Sequence, residues 1–158
     1  MKSVLAILAI FVLLGTAAFA QPVVTQISNA ASASLSVPAP QSGWNTLPNG
    51  SIAQGSYFTI YGNGFGGAAA IWNPYPLPTD VGGTSVSVTV GQNAPVAAYI
   101  EFAAQLSGYS QLNAIMPSST PTGSGTLTVT YNGQTSAPAP ISAASFRKRN
   151  PATLRKDS

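Results

Sequence analysis

The chain is predicted to be all-β, an antiparallel β-sandwich of roughly seven strands preceded by a signal-peptide helix. Three observations carry that prediction. Short segments of alternating apolar and polar residues recur, most clearly YFTIY from Tyr57, TSVSVTV from Thr84 and TLTVTY from Thr126. The 15 glycines and 13 prolines among 158 residues punctuate the spaces between these segments. After the leader, no stretch shows an apolar stripe at helical spacing. Each such strand has one apolar face, so two sheets must join those faces to exclude water. A barrel is the structural alternative.

Residues 1–20 contain Lys2, an apolar run from Val4 to Leu14, and the small-residue triplet Ala18-Phe19-Ala20, the order of a secretory leader cleaved before Gln21. The apolar run is well short of the roughly 20 residues of a spanning helix. Because the chain has no cysteine, it has no lipidation site after the leader, no disulfide framework and no thiolate metal site. The mature product is expected to be secreted, periplasmic or held at the cell surface, without crossing the membrane. Residues 21–146 suffice for one domain with its own apolar core, and 147–158 form a basic tail expected to be disordered.

Val23 to Ile27 reads as the first strand, and Ser28 to Ser36 as a small-residue segment. Pro38, Pro40, Gly43, Pro48 and Gly50 then mark a surface loop, in which Trp44 is expected to cover one end of the core. From Tyr57, alternation puts Phe58 and Ile60 on one face, with Tyr57, Thr59 and Tyr61 on the other. The segment runs into Gly62 and Gly64, both expected at positive φ.

Gly62, Gly64 and Gly67 have the spacing of a G-x-G-x-x-G nucleotide loop. That loop requires a helix start to receive the pyrophosphate and an acidic residue roughly 20 positions further on for the ribose. Pro74, Pro76 and Pro78 block the helix, and Ser85 to Val90 contains no acid. The glycines are therefore expected to turn the chain between strands, and no cofactor is expected.

Thr84 to Val90 places Val86, Val88 and Val90 on one face. Pro95 to Phe102 is expected to form one strand, with Pro95 at its edge or first position, followed by Gln111 to Met116 and by Thr126 to Tyr131. Asn132-Gly133 suits the positive φ angles of a type I′ hairpin, so the next strand should return from Gln134 towards Ile141. The core candidates are Phe58, Ile60, Phe65, Val86, Val88, Val90, Leu112, Ile115, Leu127 and Val129.

The charges decide several function classes. The net charge of +3 comes from the ends, since Lys2 is in the leader and Arg147, Lys148, Arg149, Arg155 and Lys156 are in the tail. Between Gln21 and Phe146 the only charged side chains are Asp80 and Glu101, so the body offers no basic groove to a nucleic acid. The tail, with Arg147, Lys148 and Arg149 at its start, is a candidate contact for anionic surface polymer.

The absence of histidine removes Ser-His-Asp and Cys-His catalysis. Asp80 and Glu101 would serve as a glycosidase pair only if they faced each other across a cleft. The simpler expectation is that Asp80 caps a turn and Glu101 lies on a solvent face, so no catalytic residue is assigned. One isolated Asp is too little charge for calcium, and no metal is expected. Asn49-Gly50-Ser51 fits a glycosylation acceptor, and a Gly-rich turn accounts for it equally well. Trp72 and Tyr75, on the proline-rich loop, are the candidate ligand contacts, through stacking on sugar rings or on apolar protein surface. The competing expectation is that Trp72 folds back as a lid on the sandwich.

SYFTIYGNGFG resembles the opening strand and turn of IPT/TIG immunoglobulin-like domains, and VTYNGQTSAP resembles their closing hairpin. The likeness is closer still to the Ig-like domain at the C-terminus of many secreted acidobacterial proteins. It extends through Asn29-Ala30-Ala31-Ser32, LPTDVGGTSVSV from Leu77, Ala94-Pro95, QLNAIMP from Gln111 and Asn132-Gly133, covering most of Ile27 to Ile141. The resemblance implies an Ig-like sandwich that is a non-enzymatic structural or interaction module outside the cytoplasm. Its partner would be a protein or, through the loop aromatics, a surface polysaccharide. The Trp44 loop and the WNPYP segment are longer than that pattern, and the basic tail replaces apolar residues.

Overall fold

A computed structural model describes residues 20–30, 34–35, 50–67 and 71–146. Residues 1–19 of the expected leader, Trp44, Asn49 and the tail with Arg147, Lys148 and Arg149 lie outside the described residues. Among the described residues there are thirteen strand segments and no helix. They are β1 (Val23–Asn29), β2 (Ser34–Leu35), β3 (Ile52–Ala53), β4 (Tyr57–Asn63), β5 (Ile71–Trp72), β6 (Asp80–Val81), β7 (Thr84–Val90), β8 (Val96–Ala97), β9 (Tyr99–Leu106), β10 (Tyr109–Ile115), β11 (Gly123–Tyr131), β12 (Gln134–Thr135) and β13 (Ala139–Ala144).

One sheet has the order β2-β1-β4-β10-β9-β5; the other has β3-β13-β11-β7-β6, with β12 on β11 and β8 on β7. Every pairing is antiparallel except that of β3 with β13. The predicted sandwich is therefore present. Its longer strands approximate the expected set, and two-residue strands extend the sheet margins.

Ile27, Phe58, Ile60, Ile100 and Leu112 from the first sheet meet Val86, Val88, Leu127 and Val129 from the second in one apolar core. Each large side chain fully buried in this way favours folding by about 1.5–3 kcal/mol relative to exposure. The expected core residues are buried with one exception: Ile115 is half-buried and lies outside the core cluster. Leu112 and Ile115 are an odd number of residues apart, so a strand that points Leu112 inward points Ile115 outward. Ala114 and Met116 take the inward positions instead.

Three sequence expectations are corrected in detail. Pro95 to Phe102 is two strands in different sheets, β8 on β7 and β9 on β10, with the fully buried Ala98 at the crossing. Its N–H donates to the Val86 carbonyl at 2.9 Å, while that of Ile100 donates to Pro78 at 2.8 Å. The returning strand from Gln134 breaks after Thr135. There the Ser136 hydroxyl accepts the Val129 N–H at 3.0 Å, and Pro138, lacking an N–H, cannot continue the ladder. The turn between these strands is as predicted, with Asn132 at φ 47° and Gly133 at φ 80°.

The third correction concerns Gly62, which stays inside β4 without positive φ. A Cβ there would collide with the Val23 carbonyl oxygen and come within 2.8 Å of the Phe65 ring, so glycine is needed for close approach of β1. The positive φ angles fall at Gly64 (77°), Gly66 (92°) and Gly67 (65°). Gly66 and Gly67 are not helical, in agreement with a turn rather than a phosphate loop.

The β9 margin of the first sheet is occupied along much of its length. Beside β5, the β9 backbone is met by the preceding loop: Asn73 N–H donates to the Glu101 carbonyl at 2.9 Å and Gln105 N–H to Gly67 at 2.7 Å. Edge-to-edge pairing is blunted here, as short margins and covering loops usually do.

Candidate functional site

The two outer faces differ in chemistry because the alternating strands place different residues outward. On the second sheet, Thr126, Thr128 and Thr130 lie opposite Thr89, Ser87 and Ser85. This is a hydroxyl surface. Across the first sheet, one row of partners runs Ser28, Thr59, Asn113, Phe102 and Trp72, over β1, β4, β10, β9 and β5. Directly paired residues share a face. Four inter-strand steps make this row about 19 Å long.

A register shift between Asn113 and Ala114 leaves Glu101 as an extra residue, since Asn113 pairs with Phe102 and Ala114 with Ile100. Such a β-bulge re-aims side chains. Strict alternation would send Glu101 to the face opposite Phe102. Instead Glu101 joins Ala30, Ser56, Tyr57, Phe58, Thr59 and Asn113 around an open groove of about 640 Å³. That volume falls within the range of about 300–1,000 Å³ typical of small-molecule sites.

Trp72 is 65% exposed and Tyr75 is 72% exposed. Trp72 therefore does not close the sandwich as a lid. Its ring rests on Phe102, with centroids 4.5 Å apart and planes tilted by 44°. Phe102 is buried yet stands outside the core cluster, so its burial comes from the outer side of the sheet. Tyr99 and Tyr109 are also partly exposed, and Tyr61 and Tyr109 are in ring contact at 6.1 Å.

The Tyr75 loop is tied to the groove through hydroxyls. Tyr57 OH donates to Glu101 Oε1 at 3.0 Å and shares a 2.6 Å hydrogen bond with Tyr75 OH. Along the floor, Thr59 Oγ1 donates to Asn113 Oδ1 at 3.3 Å, and Gln111 Nε2 donates to the same oxygen at 3.0 Å. The Asn113 amide is thereby oriented, with its carbonyl engaged inside the sheet. Sequence reasoning found Trp72 and Tyr75 but missed Tyr57, Thr59, Glu101 and Asn113 as groove residues. The outward alternation of Tyr57 and Thr59 was a readable signal; the bulge was not.

The Tyr75 hydrogen bond, partial burial, and the bond to and charge of Glu101 push the Tyr57 phenol well above its ordinary value of 10.0. A raised folded-state value contributes stability that is complete below the ordinary phenol value and is lost as pH rises through the folded one. The wild type is therefore expected to lose its stability advantage over Tyr57→Phe progressively above about pH 10. Thermal midpoints of the two proteins across that range check this. A constant difference at every pH would show that the hydroxyl is not held as described.

The two carboxylates do not meet. Asp80 accepts the Gly83 N–H at 3.3 Å, capping a turn in the second sheet as expected, whereas Glu101 lies in the groove of the first. Among the described residues no three His, Cys, Asp or Glu side chains cluster as metal ligands, and no helix is long and apolar enough to cross a membrane.

No curated protein and no solved structure matches the chain significantly. The family model of the IPT/TIG domain matches residues 45–143, which takes in β3 to β12 and most of β13. With that match spanning most of the chain and a two-sheet, Ig-like sandwich beneath it, the protein belongs to the IPT/TIG domain family.

Proposed function

We propose that the chain acts outside the cytoplasm, secreted, periplasmic or at the cell surface, as a non-catalytic Ig-like module that engages a partner through the outer face of its first sheet. IPT/TIG domains are generally non-enzymatic and typically serve in protein interaction, which supports the non-catalytic reading. The leader-like residues 1–20 and the likeness to C-terminal Ig-like domains of secreted acidobacterial proteins support export. The observation that carries the choice of surface is the asymmetry of the two outer faces. One displays Trp72, Tyr57 and Tyr99 beside a groove of mixed polar and apolar lining, and the other displays serine and threonine. Aromatic side chains give large contact area at little cost in conformational freedom.

The exported protein is expected to begin at Gln21 by mass spectrometry and to bind envelope fragments of the producing cell. Trp72→Ala with Tyr75→Ala should abolish most of that binding while costing about 2 kcal/mol or less, because both residues are largely exposed and lose only the Phe102 ring contact and the Tyr57 hydrogen bond. Thr128→Val, on the opposite face, should leave it intact. Recovery of the intact leader in the cytoplasm would overturn the proposed location. Equal binding by both variants would overturn the surface. If the basic tail adds an anionic-polymer contact through Arg147, Lys148 and Arg149, its share of the binding should disappear with added salt.

A further inference from the structure

The geometry points to a specific ligand for this face: we propose that the groove between β4, β10 and β9 binds a neutral polysaccharide, with Trp72 as a stacking platform at the end of the row. The inference rests on the module reading above and adds the chemical class of the ligand. A sugar ring presents apolar C–H faces and a rim of hydroxyls, so its site needs an exposed aromatic face beside fixed donors and acceptors. Here Trp72 is 65% exposed, and the row from it leads through Phe102 to Asn113 and Thr59 on the groove floor. The bulge brings a carboxylate acceptor, Glu101, to the same groove, and the Tyr57 hydroxyl bonds to it.

Charge selects among polymers. Glu101 is the groove's only charged side chain, and no lysine or arginine occurs between Gln21 and Phe146. An anionic polysaccharide would meet a like charge and no partner. Peptide recognition finds less to use. Strand addition requires an open sheet edge, and the margin beside β9 is held by Asn73, Pro78 and Gly67 backbone groups. Helix docking requires a continuous apolar groove, whereas this one intersperses Ala30, Tyr57 and Phe58 with Ser56, Thr59, Glu101 and Asn113.

Affinity electrophoresis of the exported chain in gels containing soluble xylan, glucomannan, hydroxyethyl cellulose or polygalacturonate tests the proposal, with tryptophan fluorescence as a second readout. Retardation by at least one neutral polymer is expected and should be insensitive to salt, whereas any retardation by polygalacturonate, through the basic tail, should vanish with added salt. Trp72→Ala and Asn113→Ala should each weaken it by roughly tenfold or more, and Thr128→Val should not. Unchanged near-ultraviolet circular dichroism separates lost binding from lost folding, and Thr59→Val gives a second groove variant should Asn113→Ala perturb the sheet. No retardation by any neutral polymer, or retardation that survives Trp72→Ala and both groove variants, would overturn the proposal. Envelope binding that is abolished by protease and unaffected by periodate would also overturn it, in favour of a protein partner, while leaving the module reading standing. Absence of envelope binding would defeat the reading that the partner lies in the producing cell's envelope, and the gels decide the ligand class independently of it.

Discussion

Replacing Gly62 with alanine is expected to destabilise the domain by about 3 kcal/mol or more, at the upper end of what overpacking usually costs. The added Cβ would collide with the Val23 carbonyl oxygen, with the Val23 carbonyl carbon at 2.9 Å and Phe65 Cε1 at 2.8 Å. An aromatic ring can turn aside, but a backbone carbonyl paired within β1 and β4 cannot move without opening the ladder. Gly67→Ala provides the comparison, since nothing lies within 4 Å and only its φ of 65° is strained. That substitution should cost about 1–2 kcal/mol. Urea denaturation of the two variants would decide the matter. A Gly62→Ala protein no less stable than Gly67→Ala would mean that β1 does not approach β4 as closely as described.

Phe65→Ala should cost about 3–5 kcal/mol, the range for a buried phenylalanine. Phe65 follows the end of β4, yet only 1% of its surface is exposed, and it belongs to the same cluster as Phe58, Ile60 and Leu112. Its N–H also donates to Ser110 Oγ at 3.2 Å, and that hydroxyl donates to Gln105 Oε1 at 2.5 Å. Truncation therefore leaves a cavity where the turn is fastened to β9 and β10. Ile115→Ala, at a half-buried position outside the cluster, should cost about 1 kcal/mol or less. Similar calorimetric losses for the two variants would contradict the assignment of Phe65 to the core.

The two effects differ in how visible their causes are in the residues alone. Phe65 was legible as core because an aromatic residue among glycines at a strand end must pack somewhere. Gly62 was legible as an obligatory glycine, but for the wrong reason: local reasoning supplies φ and ψ preferences, whereas its actual constraint is the distant Val23. The same limit governs the strands. Thr84 to Val90 was found to the residue, because its alternation is local. The break at Ala98 depends on which neighbour each half meets, and β7 and β10 lie on opposite sheets.

For the site, exposed aromatics on a proline-rich loop marked Trp72 and Tyr75. Glu101 was expected simply to face solvent, because the bulge that places it between Tyr57 and Asn113 arises from register between β9 and β10. Register is a property of the pair of strands rather than of either one.

The crossing at Ala98 also bears on how the domain forms. Val96 and Ala97 complete the second sheet, while Tyr99 begins a strand of the first, so neither sheet can be finished without fixing the chain that enters the other. The central contacts are long in sequence, pairing β1 with β4 and β4 with β10, and closing them is slow compared with local turns. The sandwich is thus expected to unfold as a single cooperative unit. Its two layers should assemble and melt together, with near- and far-ultraviolet circular dichroism lost in one coincident transition.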